Sequence, residues 1–327
     1  MDKVVRLWNV ESGTVTAILK GHQNMIWAVK FSNPNSQHSK MVSSDRVSPN
    51  GKLLASCGDD ASIRLWNTNT GQCLNTWHDP TQRGIWTLDF SPDGRFLISG
   101  GTNGLIQIWD ILTGSLVRSI NAHNTWIWSV TFSTDRQYLA SCSKDRTIKL
   151  WDINTGSCLG CIQDNLNDVM SIAFSPDNRM IVSGEGDSQI KLWDIETGKC
   201  LRNFSGHTDS VWAIAFVDER TFASASADTN IRLWDLDTGK CIKVLTGHTA
   251  WIRGIALSTD KQTLVSSSTD GTIRLWDIET GQTRQVLRPK KPYEGMNIAD
   301  TQGLTTAQKQ ALIALGARVC RSDYRHK

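Results

Sequence analysis

A tryptophan followed by Asp or Asn closes a short apolar run seven times in this chain, and the spacing of these tryptophans constrains the fold most. They are Trp8, Trp66, Trp109, Trp151, Trp193, Trp234 and Trp276. Successive members lie 41 to 43 residues apart, except for 58 residues between the first two. A glycine follows each of them five residues later. One unit is therefore repeated, and a period of this length predicts an array of stacked supersecondary units.

The copy between residues 206 and 245 shows what one unit contains. Four short β-rich runs follow one another there, at residues 210–216, 221–226, 231–234 and 241–245. Tight polar turns separate these runs, so each unit is predicted to be a twisted antiparallel sheet of four strands. One such sheet cannot bury both of its faces alone, so the copies are expected to stack face to face around an axis.

The repeat resembles that of the WD-repeat β-propellers, whose signature dipeptides stand here as Gly206-His207 and Trp234-Asp235. Spacing, turns and dipeptides agree from copy to copy over residues 2–287. The resemblance implies an all-β propeller of four-stranded antiparallel blades in residues 1–287, followed by a C-terminal tail in residues 288–327.

The first repeat departs from this pattern. Residues 4–8 correspond to the third strand of a blade and residues 14–19 to the fourth, without the first two strands. We expect a seven-blade-like ring with an incomplete N-terminal blade and six complete repeats; a six-bladed ring is the main alternative. The excess in the long gap, between residues 33 and 47, indicates a loop insertion or two fused repeats. An unpaired strand edge favours self-association or completion by another segment.

The tail breaks the period. Pro289 and Pro292 end the last strand, because proline cannot donate to a strand ladder. Residues 306–315 then predict one short helix that stops at Gly316. The tail, at residues 292–298, 303–305 and 314–317, resembles one appended to bacterial, especially cyanobacterial, WD-repeat proteins. Such relatives often carry a signalling NTPase or kinase module upstream of the propeller.

Four copies carry His, Ser and Asp in a fixed register before the repeat Trp. The sets are His22/Ser56/Asp60/Trp66, His123/Ser141/Asp145/Trp151, His207/Ser224/Asp228/Trp234 and His248/Ser266/Asp270/Trp276. The same three residue types form hydrolase triads, but a nucleophile is needed once and this set occurs four times. The resemblance implies instead a buried structural chain of hydrogen bonds from the Trp indole through Ser and His to Asp.

Two copies lack the complete set. The copy ending at Trp109 has Asn103 in place of Asp and no His in register, since His78 falls three positions early. The copy ending at Trp193 has Asn165 in place of His. We expect these two blades to be locally softer, because each loses hydrogen bonds worth about 1 kcal/mol or more.

Most of the remaining tryptophans fall at two positions near the start of the innermost strand. The first position holds Trp27, Trp86, Trp128, Met170, Trp212 and Arg253, and the second, two residues earlier, includes Trp126 and Trp251. In the WD-repeat family these positions open onto the top face around the channel. The residue before the turn Asp opens there too, and here it includes Asp59 and Lys144.

Tryptophan dominates binding hot spots because it buries a large area with few rotatable bonds. These eight residues are therefore predicted to form a partner-binding surface, made of Trp27, Trp86, Trp126, Trp128, Met170, Trp212, Trp251 and Arg253. The alternative is that these side chains pack beneath loops as an internal feature of the repeat.

No metal or cofactor site is expected. The chain has no phosphate-binding loop, no HExxH motif and no paired zinc-type spacing, and histidines on separate blades do not converge. Four of the eight cysteines occupy one equivalent repeat position and cannot pair with one another. Cys158 and Cys161 form a CxxC sequence, but residues three apart on a strand point to opposite faces.

Net charge and the distribution of apolar residues limit the classes of partner that we expect. A net charge of +3 is too small to favour nucleic acid. The chain shows neither a signal peptide nor an 18-residue apolar run, so we expect a cytoplasmic protein that does not contact a membrane.

These patterns predict a non-catalytic scaffold or sensor that captures a protein or peptide partner on the Trp-rich face. One alternative is a C-terminal propeller remnant of a larger bacterial signalling ATPase or kinase. A second is an enzyme that uses the central channel, for which Asp59 and Asp168 are the only scattered acidic candidates.

Overall fold

The computed structural model describes residues 3–32, 53–79, 81, 83–163, 167–289, 296, 305–315 and 317. The chain divides into two compact units, residues 1–286 and 287–327. The excess residues of the long gap and the predicted stop at Gly316 lie outside the described residues. None of the helices in the described ranges is long and apolar enough to cross a membrane.

The described residues form 26 strands and one helix. The first strands are β1 (Val4–Asn9), β2 (Thr14–Lys20), β3 (Ile26–Phe31), β4 (Leu53–Gly58), β5 (Ser62–Asn67), β6 (Cys73–His78), β7 (Ile85–Phe90), β8 (Phe96–Gly101), β9 (Leu105–Asp110), β10 (Leu116–Asn121), β11 (Ile127–Phe132), β12 (Tyr138–Ser143), β13 (Ile148–Asp152) and β14 (Cys158–Ile162). The others are β15 (Val169–Phe174), β16 (Met180–Glu185), β17 (Ile190–Asp194), β18 (Cys200–Phe204), β19 (Val211–Phe216), β20 (Thr221–Ser226), β21 (Ile231–Asp235), β22 (Cys241–Leu245), β23 (Ile252–Leu257), β24 (Thr263–Ser268), β25 (Ile273–Asp277) and β26 (Thr283–Leu287).

The strands are arranged as a propeller of six blades. Each blade is a four-stranded antiparallel meander, from β3–β6 to β23–β26, and β1 pairs only with β2 in a separate two-stranded sheet. The predicted all-β propeller with an incomplete first blade is confirmed. The description as seven-blade-like is inexact, because six blades are complete and the seventh sheet has only two strands.

The residues after each repeat Trp form a turn that explains the sequence signature. The carboxylate of Asp235 accepts the backbone N–H of Thr238 at 2.7 Å, and Gly239 donates to the carbonyl of Asp235 at 2.9 Å. The glycine has a φ of 73°, a left-handed conformation that costs glycine no steric strain. Local chemistry alone therefore connects the third strand of each blade to the fourth.

The core lies between blades, not inside one central mass. One seam packs Ile63 and Leu65 of the β3–β6 blade against Leu88, Phe90 and other side chains of the β7–β10 blade. Equivalent clusters join the following blades as far as β23–β26. The two-stranded sheet covers Leu54 and Trp66 on the other face of the β3–β6 blade.

The second unit contains one helix in its described part, α1 (Thr306–Ala314). Thr305 caps it: its hydroxyl accepts the N–H of Gln308, whose side-chain oxygen accepts the N–H of Thr305 at 2.8 Å. This reciprocal capping box satisfies backbone donors that a helix start leaves unpaired. The short C-terminal helix predicted from the sequence is confirmed.

Candidate functional site

The residues predicted to bind a partner share one backbone feature. The second residue of every innermost strand is skipped by the strand pairing, so it forms a β-bulge. These bulged residues are Trp27, Trp86, Trp128, Met170, Trp212 and Arg253. A bulge turns its side chain away from the alternation of the sheet. The sequence gives the position of these residues but no sign of the bulge.

The structure brings five of the tryptophans into one contiguous cluster. Trp86 lies between Trp27, at 6.2 Å between ring centroids, and Trp128, on which it stacks at 4.8 Å. Trp126 contacts the rings of Trp86 and Trp128 edge-on, at 4.9 and 5.8 Å. Trp212 meets Trp128 edge-on at 5.8 Å. Edge-on and offset-stacked pairs are the favoured aromatic arrangements.

Arg253 connects this cluster to Trp251. Its guanidinium carbon lies 4.0 Å from the ring centroid of Trp212, 5.1 Å from that of Trp251 and 5.6 Å from that of Trp27. Burial lowers the pKa of Arg253, although a guanidinium stays protonated at neutral pH. No carboxylate pairs with it among the described residues. We call the surface formed by the predicted partner-binding residues the aromatic face; they are Trp27, Trp86, Trp126, Trp128, Met170, Trp212, Trp251 and Arg253.

Lys144 and Asp59 add charges of opposite sign to the aromatic face. The ammonium of Lys144 lies 4.1 Å from the centroid of Trp126, within cation–π range. One carboxylate oxygen of Asp59 accepts the indole N–H groups of Trp27 and Trp86, at 2.6 and 3.2 Å. Asp59 therefore positions two rings of the face.

Exposure separates the face into a packed centre and an accessible rim. Trp27, Trp126 and Trp251 are 40, 36 and 47% exposed, whereas Trp86, Trp128, Trp212, Met170 and Arg253 are half-buried. The indole N–H groups of Trp128 and Trp212 are buried and have no hydrogen-bond partner. The centre of the face thus contains two buried donors, and its rim presents apolar area.

The four His/Ser/Asp/Trp sets each form one continuous hydrogen-bond chain. In the β19–β22 blade, Trp234 donates to the hydroxyl of Ser224, and His207 contacts that hydroxyl through Nε2 and Asp228 through Nδ1, each at 2.7 Å. The corresponding distances in the other three sets lie between 2.7 and 2.9 Å. Each chain joins the loop before a blade to its second and third strands.

The serines of these chains lie in the interior and not at any accessible site. They are Ser56, Ser141, Ser224 and Ser266, and each is at most 1% exposed. Each hydroxyl already accepts the indole N–H of the repeat Trp in its own blade, at 2.7 to 2.9 Å. The hydrolase interpretation of these sets is therefore wrong, because no substrate could reach Ser56, Ser141, Ser224 or Ser266 without opening a blade. Their contacts are those of the structural hydrogen-bond chain that the resemblance implies.

In three of these hydrogen-bond chains the electrostatics favour the neutral form of the histidine. Burial lowers the pKa of His22, His123 and His248 below 6.5, and the neighbouring carboxylates oppose this only in part. Burial alone would raise the pKa of Asp270, but hydrogen bonds that include those from Thr272 and His248 lower it to about 2. A neutral imidazole between a hydroxyl and a carboxylate stabilises the fold without a buried positive charge.

The two blades that lack this series of hydrogen bonds contain other polar contacts. In the β7–β10 blade, Asn103 donates to Thr81 at 3.1 Å and to Asp79 at 3.4 Å. In the β15–β18 blade, Asn167 donates to Asp187 at 2.8 Å, and Asn165 lies outside the described residues. Substitutes for the missing histidines therefore come from neighbouring loop residues that a fixed register does not reveal.

The same blade holds a second polar substitute. Lys191 forms a buried ion pair with Glu185 at 3.1 Å. Glu185 is fully buried at a position where other blades carry Gly or Ser.

The acidic candidates for channel chemistry both take part in hydrogen bonds of the fold. Asp59 is engaged by two indoles, and the backbone carbonyl of Asp168 accepts the N–H of Gly186 at 2.9 Å. Within the described ranges, no three His, Cys, Asp or Glu side chains are grouped closely enough to hold a metal ion. The seven cysteines described, including Cys158 and Cys161, are free thiols.

Comparison with known proteins finds that a segment of this chain is similar to a subunit of a translation initiation factor. Eukaryotic translation initiation factor 3 subunit I of Aspergillus niger is 35% identical over 80 residues, and that of Aspergillus oryzae is 36% identical over 80 residues. The same factor of Scheffersomyces stipitis is 30% identical over 80 residues. These matches cover 24% of this chain and 18 to 19% of each relative, so they span about a fifth of the relatives' length.

The family assignment rests on a broader match. A family profile described as "WD domain, G-beta repeat" (WD40) matches residues 13–67, 71–110, 114–152, 156–194, 198–235 and 239–277. These six segments together span most of the chain and follow the repeat seen in the strands. The chain therefore belongs to the WD40 repeat family.

Proposed function

We propose that this chain is a non-catalytic interaction scaffold whose aromatic face captures a segment of a protein partner. One observation carries the proposal: exposed indoles surround a guanidinium that no carboxylate pairs with among the described residues. The rings are those of Trp27 and Trp251, and the guanidinium is that of Arg253, which also lies against Trp212. Tryptophan and arginine are enriched in binding hot spots. A ligand that supplies a carboxylate or carbonyl oxygens would therefore complete this face.

The chemistry of the face favours one kind of partner segment. Arg253 and Lys144 bring positive charge, and the carboxylate of Asp59 is engaged by Trp27 and Trp86. A partner would place a carboxylate or backbone carbonyls against Arg253 and apolar side chains against the accessible rings. Burial of such a pair among indoles excludes water and strengthens each contact.

The relatives support a role within an assembly. Their name makes them subunits of a translation initiation factor. Only a short segment is matched, so they support assembly with other proteins in general and no particular partner.

The proposal is tested by selecting short random peptides against the intact chain and measuring their affinity for variants. Trp251→Ala and Arg253→Gln should each weaken the selected peptides by about 2 kcal/mol, roughly 30-fold. Leu201→Ala is the matched control, because Leu201 is an exposed apolar residue on the outer strand β18. Peptides that bind the two face variants as tightly as the unchanged chain would contradict the proposal.

Self-association through the incomplete first blade is a second candidate, favoured by a specific observation. Val29 and Phe31 on β3 are exposed apolar residues beside the two-stranded sheet. Light scattering over a dilution series tests this idea. A mass that rises with concentration would support it, and a monomer at every concentration would contradict it.

Other interpretations from the sequence stay predictions. The bacterial origin of the tail, a role in signalling as the remnant of an ATPase or kinase, and a cytoplasmic location are supported so far by sequence resemblance and composition alone. Cell fractionation and sequencing of the native gene's flanks would test them. Catalysis in the channel has the weakest support, because one carboxylate oxygen of Asp59 already accepts two indole N–H groups.

A further inference from the structure

The outermost strand of a blade sends one side chain across the seam to the next blade. This residue pairs with the one that precedes the repeat Trp, as Lys243 pairs with Leu233. In four of the five seams between complete blades it is a polar or charged side chain, namely Asn75, Arg118, Arg202 and Lys243. A methyl group built on the turn glycine of the next blade would lie only 2.6 to 2.8 Å from that side chain. The side chain therefore fills the space over the turn.

Two of these side chains also donate hydrogen bonds to the turn that they cover. The ammonium of Lys243 donates to the carbonyl oxygen of Ile278 at 3.0 Å and to that of Glu279. The guanidinium of Arg202 donates to the carbonyl oxygen of Asp237 at 3.0 Å. Long basic side chains combine an apolar stem with a charged head. A side chain of this kind therefore matches both the apolar seam and the carbonyl groups at its edge.

The seam between the β11–β14 and β15–β18 blades lacks this side chain. Gly160 pairs with Leu150 at the same position, and apart from its chain neighbours no described atom lies within 4 Å of where its Cβ would be. A cavity of about 240 Å³ opens beside it, and Ile148, Leu150, Ile162, Ile181 and Glu196 are among its lining residues. Pockets for drug-sized ligands measure about 300 to 1,000 Å³. We call this smaller cavity the Gly160 notch, and its size suits a single side chain.

The apolar floor of the Gly160 notch is exposed where its counterparts are covered. Ile162 is partly exposed, whereas the matching residue in every other complete blade, such as Leu245, is at most 6% exposed. Leu150 is also partly exposed, whereas its counterparts, such as Leu233, are at most 5% exposed. The absence of a side chain at Gly160 thus leaves apolar area uncovered that the other complete blades bury.

The Gly160 notch also offers hydrogen-bond acceptors and negative charge. The carbonyl groups of Ile195 and Glu196 correspond to those of Ile278 and Glu279, which bind Lys243. Within the described ranges, no residue donates to either of these two carbonyl groups. Among the lining residues that the structure describes, the only charged side chain is that of Glu196. The notch is therefore complementary to a cation on an apolar stem.

We propose that the Gly160 notch binds a lysine side chain that a partner protein inserts between the two blades. The lysine stem lies on Leu150 and Ile162. Its ammonium donates to the carbonyl groups of Ile195 and Glu196, in the way that Lys243 binds the corresponding turn. The notch lies against the outermost strand β14, and the proposal is independent of the aromatic face.

The experiment titrates the intact chain, with labelled isoleucine and leucine methyl groups, with a blocked tripeptide that has lysine between two glycines. We expect saturable NMR shifts at Ile162 and Leu150, because the lysine stem contacts them. The same tripeptide with norleucine in place of lysine should bind about tenfold more weakly, because it cannot donate to the two carbonyl groups. Gly160→Lys should weaken binding of the lysine tripeptide by about tenfold or more, because the new side chain fills the notch.

A matched variant creates the same space in another seam. Lys243→Gly removes the side chain that covers the turn of the β23–β26 blade, so it should add a second binding site for the lysine tripeptide. Trp251→Ala should leave the affinity unchanged, which distinguishes the notch from cation–π binding on the aromatic face. The Tm of Gly160→Lys should equal or exceed that of the unchanged chain, because its backbone is not in the left-handed region and has room for a side chain.

Several results would overturn the proposal. One is the absence of saturable binding, which is also the result expected if another part of the chain fills the notch. Equal affinity of the lysine and norleucine tripeptides, or equal affinity for the unchanged chain and Gly160→Lys, would overturn it too. If n-butylammonium shifts the Ile162 methyl signals and the lysine tripeptide does not, the notch takes small free amines and the proposed partner protein is wrong.

Discussion

Two groups of tryptophans in this protein have the same side chain and opposite environments. The repeat tryptophans of the complete blades, such as Trp234, are nearly fully buried and donate to a serine. The tryptophans of the aromatic face are half-buried or exposed, and two of them have unpaired indole N–H groups. The first group satisfies all its chemistry within the fold. The second leaves aromatic area exposed, which we propose that a partner covers.

The largest expected effect is the loss of stability when a buried repeat tryptophan is replaced. Trp234→Ala should lower the free energy of unfolding by about 3 to 5 kcal/mol, because it leaves a cavity between two blades and removes the donor to Ser224. Trp251→Ala, at a side chain that is 47% exposed, should change it by about 0.5 kcal/mol or less. Urea denaturation of both variants provides the measurement. Equal losses would show that the aromatic face is part of the core.

A smaller effect distinguishes complete hydrogen-bond chains from incomplete ones. Ser224→Ala removes a hydrogen-bond partner from both Trp234 and His207, whereas Ser183→Ala removes one only from Trp193. We expect a loss of about 1 to 3 kcal/mol for the first change and a smaller loss for the second. Thermal unfolding of the two variants, with the unchanged chain as reference, measures the difference. A larger loss for Ser183→Ala would mean that the histidine adds nothing to the chain.

The pH dependence of stability tests the protonation state of the buried histidines. His22, His123 and His248 have native pKa values below 6.5, so the unfolded chain binds more protons as the pH falls through 6.5. Stability should therefore be highest above pH 6.5 and decrease on acidification, by at most about 1.4 kcal/mol per pH unit for each histidine. A His248→Gln variant should show a shallower slope between pH 7.5 and 5.5, measured by urea denaturation. Stability that increases on acidification would contradict the assignment.

The aspartates act at lower pH. The native pKa of Asp270 is about 2, below its usual value of 3.8, so its contribution is complete above pH 3.8 and is lost as the pH falls towards 2. Because this loss occurs around and below pH 3.8, a titration between pH 7.5 and 5.5 reports the histidine effect.

The smallest expected effect concerns the two blades that lack a buried histidine. Amides of the β7–β10 and β15–β18 blades should exchange with solvent faster than those of the β19–β22 blade. The contacts of Asn103 with Thr81 and of Lys191 with Glu185 limit the difference. Hydrogen exchange resolved blade by blade gives the answer. Uniform protection would mean that these substitutes replace the histidine chain completely.

The fold was largely predictable from the sequence because the residues that specify each turn lie close together in the chain. The repeat Trp, the Asp or Asn after it and the glycine five residues on form one turn, as in Trp234, Asp235 and Gly239. The candidate site was predictable only in part. Alignment of the repeat units placed Trp27, Trp86 and Arg253 at one position of the repeat. The bulge that turns them out of the sheet leaves no sequence signal.

By itself the sequence determined the strands, their turns and the family to which the chain belongs, because period and turn chemistry act within about 40 residues. The tertiary structure alone decided which indoles are satisfied, that Arg253 lies against Trp27 and Trp212, and that Phe31 is exposed. These features depend on contacts between blades far apart in the chain. Burial is a property of what stands opposite a residue, and only the assembled blades show how far each residue is covered.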